Sequence, residues 1–350
     1  MKIAALVSGG VDSAVALRIL KDNPENSIKA YYLKIWLEDE FQFLGDCPWE
    51  EDLKYARAIC EQADVPLEVI SLQSAYWDRV VSHSVAELKA GRTPSPDILC
   101  NQQVKFGAFC DYIDPSYKIA TGHYAHVEKH GDQVSLYKGL DPIKDQTYFL
   151  SRLSQEQLNR VIFPVGKLPK AEVRRLAKAY ELANFDRPDS QGICFLGKIK
   201  YPDFVRQHLG DCPGQIINAD DNQVVGEHKG FWFHTIGQRK GLGLSGGPWF
   251  VVGKDCDQNI IYVSRNKFSD ELPKDQFEVR SLHWLGRKPE AIESLSVKIR
   301  HGESVIPCQL EILHDQKAKI FLESPDPGIA AGQYAVIYCG NECLGSGVIS

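Results

Sequence analysis

Apolar and polar positions follow two patterns along the first half of the chain, one typical of strands and one typical of helices. Short apolar runs bounded by turn residues predict buried strands at residues 3–7, 28–35, 66–72 and 118–121. Apolar residues at helical spacing predict helices over residues 50–63, 76–90, 104–112 and 167–182. Strands that alternate with helices are typical of a doubly wound parallel sheet, so we expect an α/β fold for this half.

The second half changes character after residue 210. β-like runs cover residues 215–226, 231–236 and 249–264, and further short alternating segments recur at 296–300, 307–313, 318–323 and 334–339. Short strands at this spacing are typical of a small antiparallel barrel. We therefore expect an α/β domain over residues 1–205, a small β-rich domain over 206–272 and a C-terminal antiparallel β-barrel over 273–350.

A glycine turn directly follows the first predicted strand. Residues 8–13 read Ser-Gly-Gly-Val-Asp-Ser, and a helical pattern begins at once. The glycines let backbone N–H groups approach a ligand, and the helix directs its positive end into the same space. The turn is therefore a candidate anion site, although no Gly-Lys-Ser/Thr follows and it is not a Walker A loop. An ordinary glycine-rich turn is the alternative. The six residues favour ATP, because they resemble the pyrophosphate loop of enzymes that split ATP between the α and β phosphates.

A second segment is expected beside this loop. Ligands of parallel sheets bind beyond the carboxyl ends of the strands. Residues 8–13 and the pair Gly122-His123 both follow predicted strands. We therefore expect the two segments to line one crevice.

Composition restricts the class of protein and the cellular compartment. Hydrophobic residues make up 43% of the 350 positions and charged residues 25%, which is ordinary for a globular protein. No signal-peptide core and no apolar run of membrane-spanning length is present, so we expect a cytoplasmic protein without a membrane partner. The ten cysteines are then expected to be thiols, and their spacing does not make a zinc site.

The charge pattern bears on an RNA partner. The net charge of −6 argues against a nucleic-acid ligand, but a local basic patch can overrule a whole-chain average. The helix predicted over 167–182 is the best candidate for such a patch, and a solvated surface is its alternative. Its basic residues are Lys167, Lys170, Arg174, Arg175 and Lys178.

Two cysteines lie in unusual surroundings. Cys100 ends a segment with two prolines, which predicts an extended loop, and Asp97 precedes it by three positions. Cys194 lies two residues after a glycine in the run Asp-Ser-Gln-Gly-Ile-Cys-Phe. Thiols in exposed loops tend toward the reactive thiolate, so both are candidate reactive groups. We expect Cys60, Cys110, Cys256 and Cys308 to be inert core residues.

Together these motifs resemble the tRNA-specific 2-thiouridylases, the MnmA family, and the resemblance runs nearly end to end. Its most specific parts are the two cysteine segments and the pair Asp145-Gln146; the pyrophosphate loop alone is common to a superfamily. The other matching segments are residues 33–36, 121–124, 144–150, 166–175 and 234–239, with Arg300, Gly332 and Gln333 in the predicted barrel.

The resemblance implies roles for named residues. Cys100 would be the nucleophile, Cys194 the persulfide carrier and Asp97 a general acid or base. ATP would bind Ser8, Gly9, Gly10, Val11, Asp12, Ser13, Ala14, Val15, Ala16, Leu33 and Gly122, with Mg²⁺ at Asp12. The tRNA would contact Ser95, Pro96, Asp97, His123, Lys144, Asp145, Gln146, Arg300, His301 and Gln333. The family usually has Asn, Met and Tyr where this chain has Ser95, Leu33 and His301.

The same resemblance implies a reaction. ATP would adenylate the C2 oxygen of the wobble uridine in the anticodon arm, since that oxygen is otherwise a poor leaving group. A cysteine desulfurase or a relay protein would deliver the sulfur as a persulfide to Cys194. That persulfide would attack C2 directly or release hydrosulfide, and a transient disulfide with Cys100 would follow. Two alternatives remain from the residues alone: an amide synthetase or ligase with the same loop, and a non-catalytic nucleotide sensor.

Overall fold

A computed structural model describes residues 1–35, 48–189, 200–267, 275–290, 292–314 and 316–350. Its strands in chain order are β1 Lys2–Leu6, β2 Ser27–Lys34, β3 Leu67–Ser71, β4 Lys118–Ala120, β5 Ala125–His130, β6 Gln133–Lys138, β7 Val161–Ile162, β8 Gly214–Asn218, β9 Val224–His228, β10 Phe250–Asp255, β11 Ile260–Ser264, β12 Gln276–Trp284, β13 Leu295–Lys298, β14 Ile306–Ile312, β15 Ala318–Leu322, β16 Tyr334–Cys339 and β17 Glu342–Ile349. Its helices are α1 Val11–Lys21, α2 Pro48–Gln62, α3 73–89, α4 96–112, α5 Thr147–Leu150, α6 Gln155–Arg160, α7 Lys170–Ala179 and α8 Tyr201–Leu209.

The first domain contains the predicted parallel sheet, in the strand order β3-β2-β1-β4-β7. Neighbouring residues of one strand enter different cores, because side chains alternate across a sheet. Ala4 and Tyr31 belong to one buried cluster, and Ala5 and Tyr32 to another. Both faces of the sheet are therefore covered, as the near-continuous apolar runs predicted.

The C-terminal domain is the predicted antiparallel barrel. Its strand order is β12-β15-β14-β13-β16-β17, and pairing of β12 with β17 closes it. The hairpin β5–β6 of the first domain extends the same sheet, because Leu136 and Tyr137 pair with Cys343 and Glu342 of β17. The barrel is thus joined to the first domain through backbone hydrogen bonds as well as side chains.

The central domain is a four-stranded sheet in the order β10-β11-β8-β9. The prediction of a β-like segment at 231–236 is wrong, because Phe231–Phe233 forms one turn of 3₁₀ helix. The N–H of Phe233 bonds to Gly230, and that of His234 bonds to Phe231, so these groups are satisfied locally and need no neighbouring strand. Across the described ranges, no helix has both the length and the apolar character needed to cross a membrane.

Candidate functional site

The loop between β1 and α1 is closed by its own serines. Ser13 donates its hydroxyl to the Gly10 carbonyl at 2.9 Å and accepts the Ser8 N–H at 3.2 Å. Gly9 has φ +79°, and a Cβ there would lie 2.4 Å from the Asp52 carbonyl oxygen. Only glycine fits this position, both in conformation and in space. The loop therefore presents its backbone and the positive end of α1 on one side.

The loop after β4 lies against the same helix end. A Cβ on Gly122 would be 2.6 Å from the backbone nitrogen of Ser13. β1 pairs with β2 on one side and with β4 on the other, so the strand order reverses there. Such a switch point is where open α/β sheets bind ligands. The structure thus brings residues 8–13 and Gly122 together at the ends of adjacent strands, while Leu33 lies near the end of β2 and packs on the first-domain core.

Asp12 anchors a partly buried ion network beside the loop. Its Oδ1 accepts hydrogen bonds from the Lys170 ammonium at 2.6 Å and from the Tyr124 hydroxyl at 2.8 Å. Lys170 also contacts Asp189 at 2.8 Å, and Asp189 pairs with Lys144 at 2.8 Å. Burial opposes the charged carboxylate, but the hydrogen bonds from Lys144 and Lys170 prevail and hold the pKa of Asp189 well below its usual range.

Two basic side chains of helix α7 bind Asp189 in this ion network. Lys170 and Arg174 both reach Asp189, the latter at 2.5 Å. Arg175 pairs with Glu172 on its own helix, and the Lys167 ammonium lies 3.7 Å from Glu128. The carboxylate of Asp189 holds both cations in the protein, so a phosphate would have to compete with Asp189 for Lys170 and Arg174. The RNA-backbone contact of this helix stays a prediction.

Sequence reasoning missed several residues that support the loop. Asn184 and Arg187 donate to the Gly9 carbonyl at 2.8 and 3.0 Å, and Arg187 also pairs with Asp52. They lie 175 and 178 positions from Gly9, so no local pattern could have pointed to them.

Cys100 lies in a helix and not in an exposed loop, which corrects the expectation from the two prolines. Only residues 91–95 are irregular; Pro96 occupies the first helical turn, where its fixed φ suits a helix start. Cys100 is 1% exposed and packs with Tyr76, Val80 and Phe204. Its N–H bonds to the carbonyl of Asp97 one turn earlier. Cys194 lies outside the described residues.

Residues 91–95 are held by all three domains. From the barrel, Gln333 donates to the carbonyls of Thr93 and Pro94 at 3.1 and 2.9 Å, and the Ala331 carbonyl accepts the Thr93 N–H at 2.8 Å. From the central domain, the Thr235 hydroxyl lies 3.2 Å from that of Thr93. Lys254 donates to the Gly91 carbonyl at 3.1 Å. The start of the Cys100 helix is therefore positioned by long-range contacts.

The segment 144–146 faces inward. Asp145 is 2% exposed and pairs with the equally buried Lys298 of the barrel at 2.9 Å. Gln146 accepts the backbone N–H of Tyr124 at 3.0 Å. In this arrangement the segment joins the barrel to the loop at residues 8–13, the candidate nucleotide loop, and Lys144 adds its bond to Asp189. The expected tRNA contacts of these three residues stay predictions.

The remaining predicted RNA contacts divide into exposed and buried groups. The Arg300 side chain is 52% exposed and bonded to Asp326, and the exposed His301 ring stacks on Phe149 with centroids 4.4 Å apart. Ser95 and Pro96 are buried. Burial, with a contribution from Lys105, lowers the pKa of His123 well below its usual value, so this imidazole is neutral at pH 7.

Three family models match consecutive parts of the chain. They are the tRNA methyl transferase HUP domain over residues 1–198, the tRNA methyl transferase PRC-barrel domain over 202–265 and the aminomethyltransferase beta-barrel domain over 274–349. The chain is 42% identical to the tRNA-specific 2-thiouridylase MnmA of Parabacteroides distasonis, with 100% of this chain and 99% of that protein covered. The chain belongs to the MnmA family.

Other relatives extend this result. MnmA of Porphyromonas gingivalis is 42% identical, covering 100% of this chain and 99% of its own length; MnmA of Shewanella amazonensis is 39% identical, covering 99% and 94%. A solved U34-tRNA thiolase, NcsA from Methanococcus maripaludis, is 17% identical with a TM-score of 0.36, covering 59% of this chain and 64% of its own. MnmA membership confirms the resemblance stated from the motifs.

Proposed function

We propose that this protein is a tRNA-uridine 2-sulfurtransferase that replaces the C2 oxygen of uridine 34 with sulfur, releasing AMP and pyrophosphate. One observation carries the proposal: a glycine loop at a helix N-terminus, with an ion network beside it, lies in a chain that matches MnmA proteins along its whole length. A synthetase that shares only the loop would not account for the match in the central and barrel domains.

The loop would bind the phosphates of ATP. Its backbone N–H groups and the α1 N-terminus favour negative charge, and Lys170 places an ammonium next to Asp12. The expected adenine contact remains Leu33, at the end of β2. In this assignment the loop offsets the charge that develops on pyrophosphate as the uracil oxygen takes AMP.

Asp12 would hold Mg²⁺. Within the described ranges no group of three or more His, Cys, Asp and Glu side chains is placed to bind a metal. Mg²⁺ needs fewer protein ligands, since it is commonly held by one or two carboxylates together with substrate phosphates and water. Asp12 supplies such a carboxylate at the loop, so the residues fit. Bound there, Mg²⁺ would neutralise phosphate charge.

Sulfur transfer would use the two cysteines. The terminal sulfur of a Cys194 persulfide, delivered by a cysteine desulfurase or a relay protein, attacks C2 and displaces AMP. The Cys100 thiolate then attacks the Cys194 sulfur; the base leaves as 2-thiouridine and a Cys100–Cys194 disulfide forms. An external thiol must reduce that disulfide before the next turnover. Asp97, one helical turn before Cys100, is the proposed general acid or base.

The burial of Cys100 sets a condition on this scheme. A thiol that is 1% exposed reaches a bound base or a second cysteine only if its surroundings rearrange. We expect the segment around Cys100 to move when tRNA binds, as substrate-induced closure does in many enzymes.

The exposed ring of His301 suits the anticodon arm. The Arg300 guanidinium, which bonds both carboxylate oxygens of Asp326, would have to exchange that partner for a phosphate. Loop bases are commonly held by stacking on aromatic rings, and arginine binds phosphates through paired hydrogen bonds. His301 already stacks on Phe149 and so offers an ordered platform.

The direct test is product analysis. Purified protein, unmodified tRNA, ATP and a desulfurase with cysteine should yield 2-thiouridine at position 34, measured by mass spectrometry of digested tRNA. Omission of ATP should abolish the product. Pyrophosphate release that depends on tRNA would exclude a nucleotide sensor, whereas release driven by a small amine in place of tRNA would favour the synthetase.

A further inference from the structure

A cavity of about 490 Å³ opens between the first domain and the barrel. Lys138, Leu140 and Lys167 line it from the first domain, and Lys298 and Val305 line it from the barrel. Its volume falls in the range of pockets that hold small molecules and single nucleotides. The residues expected to bind ATP take no part in its lining.

Two of the three lysines that line this cavity already have a carboxylate partner. Its basic side chains are Lys138, Lys167, Lys298 and His126, and its carboxylates are Asp145 and Glu303. Asp145 is already paired with Lys298 at 2.9 Å. Lys167 likewise has a carboxylate nearby, since its ammonium lies 3.7 Å from Glu128. Of the three cavity lysines, Lys138 is therefore the one with no carboxylate within 4 Å among the described residues, and an anion is favoured beside it.

Lys138 is the cation that most needs an anion. Its ammonium lies 3.2 Å from the Gly340 carbonyl and 4.3 Å from the centre of the Tyr338 ring. Among the described residues, no carboxylate approaches it within 4 Å. Burial lowers the pKa of Lys138 and the charge of Lys298 lowers it further, while the charge of Asp145 offsets part of this. A half-buried ammonium without a carboxylate is destabilised, and a bound phosphate would relieve this.

Apolar side chains also line the cavity. Leu140 is 65% exposed, which is unusual for a large apolar side chain, and it lines the cavity with Pro142 and Val305. Nucleobases have apolar faces and pack on such surfaces, while their phosphates need cations. The cavity offers both kinds of contact.

We propose, on the basis of the RNA substrate proposed above, that this cavity receives one nucleotide of the tRNA. Its phosphate lies beside Lys138 and its base packs against Leu140 and Val305. Asp145 forms part of the wall, and the adjacent Lys144 and Gln146 contact Asp189 and Tyr124. A nucleotide bound here therefore touches the segment that joins the barrel to the nucleotide loop.

The proposed contact between a tRNA phosphate and Lys138 is tested with Lys138→Gln. The slope of log Kd for tRNA against log salt should fall by about one unit, because one phosphate contact is lost. Lys129→Gln is the matched control, since Lys129 lies exposed on the same hairpin and outside the cavity. It should leave the slope unchanged. Thermal unfolding of both variants checks that each has folded.

The apolar half is tested with Leu140→Ser, whose exposed position makes loss of folding a minor concern. It should weaken tRNA binding about threefold to tenfold at every salt concentration, with the slope unchanged. Ile292→Ser is the control, because Ile292 is a comparably exposed apolar residue on the barrel side and does not line the cavity.

The outcomes separate this proposal from the proposed function. If wild-type protein forms 2-thiouridine but Lys138→Gln and Leu140→Ser both bind tRNA like wild type, the cavity proposal is wrong and the function stands. If the two variants show the expected binding defects while wild-type protein makes no 2-thiouridine, the function is wrong and the cavity remains an RNA site.

Discussion

The nucleotide loop and the surroundings of Cys100 are built in opposite ways. The loop lies in one domain, and its hydrogen bonds join either residues within 8–13 or partners in the same domain. The segment before the Cys100 helix is held by Gln333 of the barrel and by Thr235 and Lys254 of the central domain. The loop proposed to bind phosphate is therefore positioned within the first domain, whereas Cys100 is positioned by contacts from all three domains.

This difference predicts that the two halves of the reaction can be separated by mutation. Changes in the loop should affect adenylation first, and changes at the domain contacts should affect sulfur transfer first. The expected effects below run from the largest to the smallest.

The largest effect is expected from breaking the buried Lys298–Asp145 pair. Lys298→Met leaves the Asp145 carboxylate buried without its partner and should lower the free energy of unfolding by about 3–5 kcal/mol. Urea-induced unfolding measures this. Adding Asp145→Asn should restore part of the loss, and Lys288→Met, at an exposed lysine, should have little effect. If Lys298→Met alone is as stable as wild type, the Lys298–Asp145 pair does not support domain assembly.

Asp12→Asn should reduce tRNA-dependent pyrophosphate release about 10²–10³-fold. The neutral amide no longer attracts Lys170 and offers Mg²⁺ a weaker ligand. Stopped-time assays of pyrophosphate give the rate, and Asp64→Asn, at an exposed position, serves as the control. Undiminished release would remove Asp12 from the chemistry.

The stability of the folded protein should depend on pH through His234 of the central domain. Burial, with help from His228 and Lys254, lowers the pKa of His234 from 6.5 to about 4. The unfolded chain therefore binds a proton at pH 5 that the folded protein does not, so stability falls as pH drops from 6.5 to 4, by at most about 3 kcal/mol. His234→Gln should flatten this part of the curve. Equal pH profiles for variant and wild type would contradict the assignment.

The smallest effect is expected from the contact between Thr235 and Thr93. Thr235→Val removes one hydroxyl without changing the shape of the side chain, and should slow 2-thiouridine formation two- to tenfold, as about 1 kcal/mol predicts. Pyrophosphate release in the presence of tRNA should stay within twofold of wild type. Equal losses of pyrophosphate release and of 2-thiouridine formation would show that the two halves of the reaction cannot be separated by mutation.

The sequence predicted those parts that repeat or that act locally. Alternating patterns predicted the parallel sheet and the barrel, and six consecutive residues predicted the loop. The helix of Cys100 was missed because Pro96 suits both an extended segment and the first turn of a helix. Only the packing of α4 against α3 and α8 decides between them.

Long-range partners could not be predicted in the same way. Lys170 lies 158 positions from Asp12, and its position in a basic helix gave no reason to expect an inward ion pair. The sharing of one sheet by hairpin β5–β6 and the barrel was equally hidden, since each strand shows only an ordinary alternating pattern.

One experiment tests the separation most directly. Pyrophosphate and 2-thiouridine are measured in the same reaction for Cys100→Ser, with Cys212→Ser as the control at an exposed cysteine. We predict that Cys100→Ser keeps tRNA-dependent pyrophosphate release but forms no 2-thiouridine over multiple turnovers, while the control matches wild type in both. Full multiple-turnover thiolation by Cys100→Ser would contradict the two-cysteine mechanism, and loss of both activities would contradict the independence of the nucleotide loop.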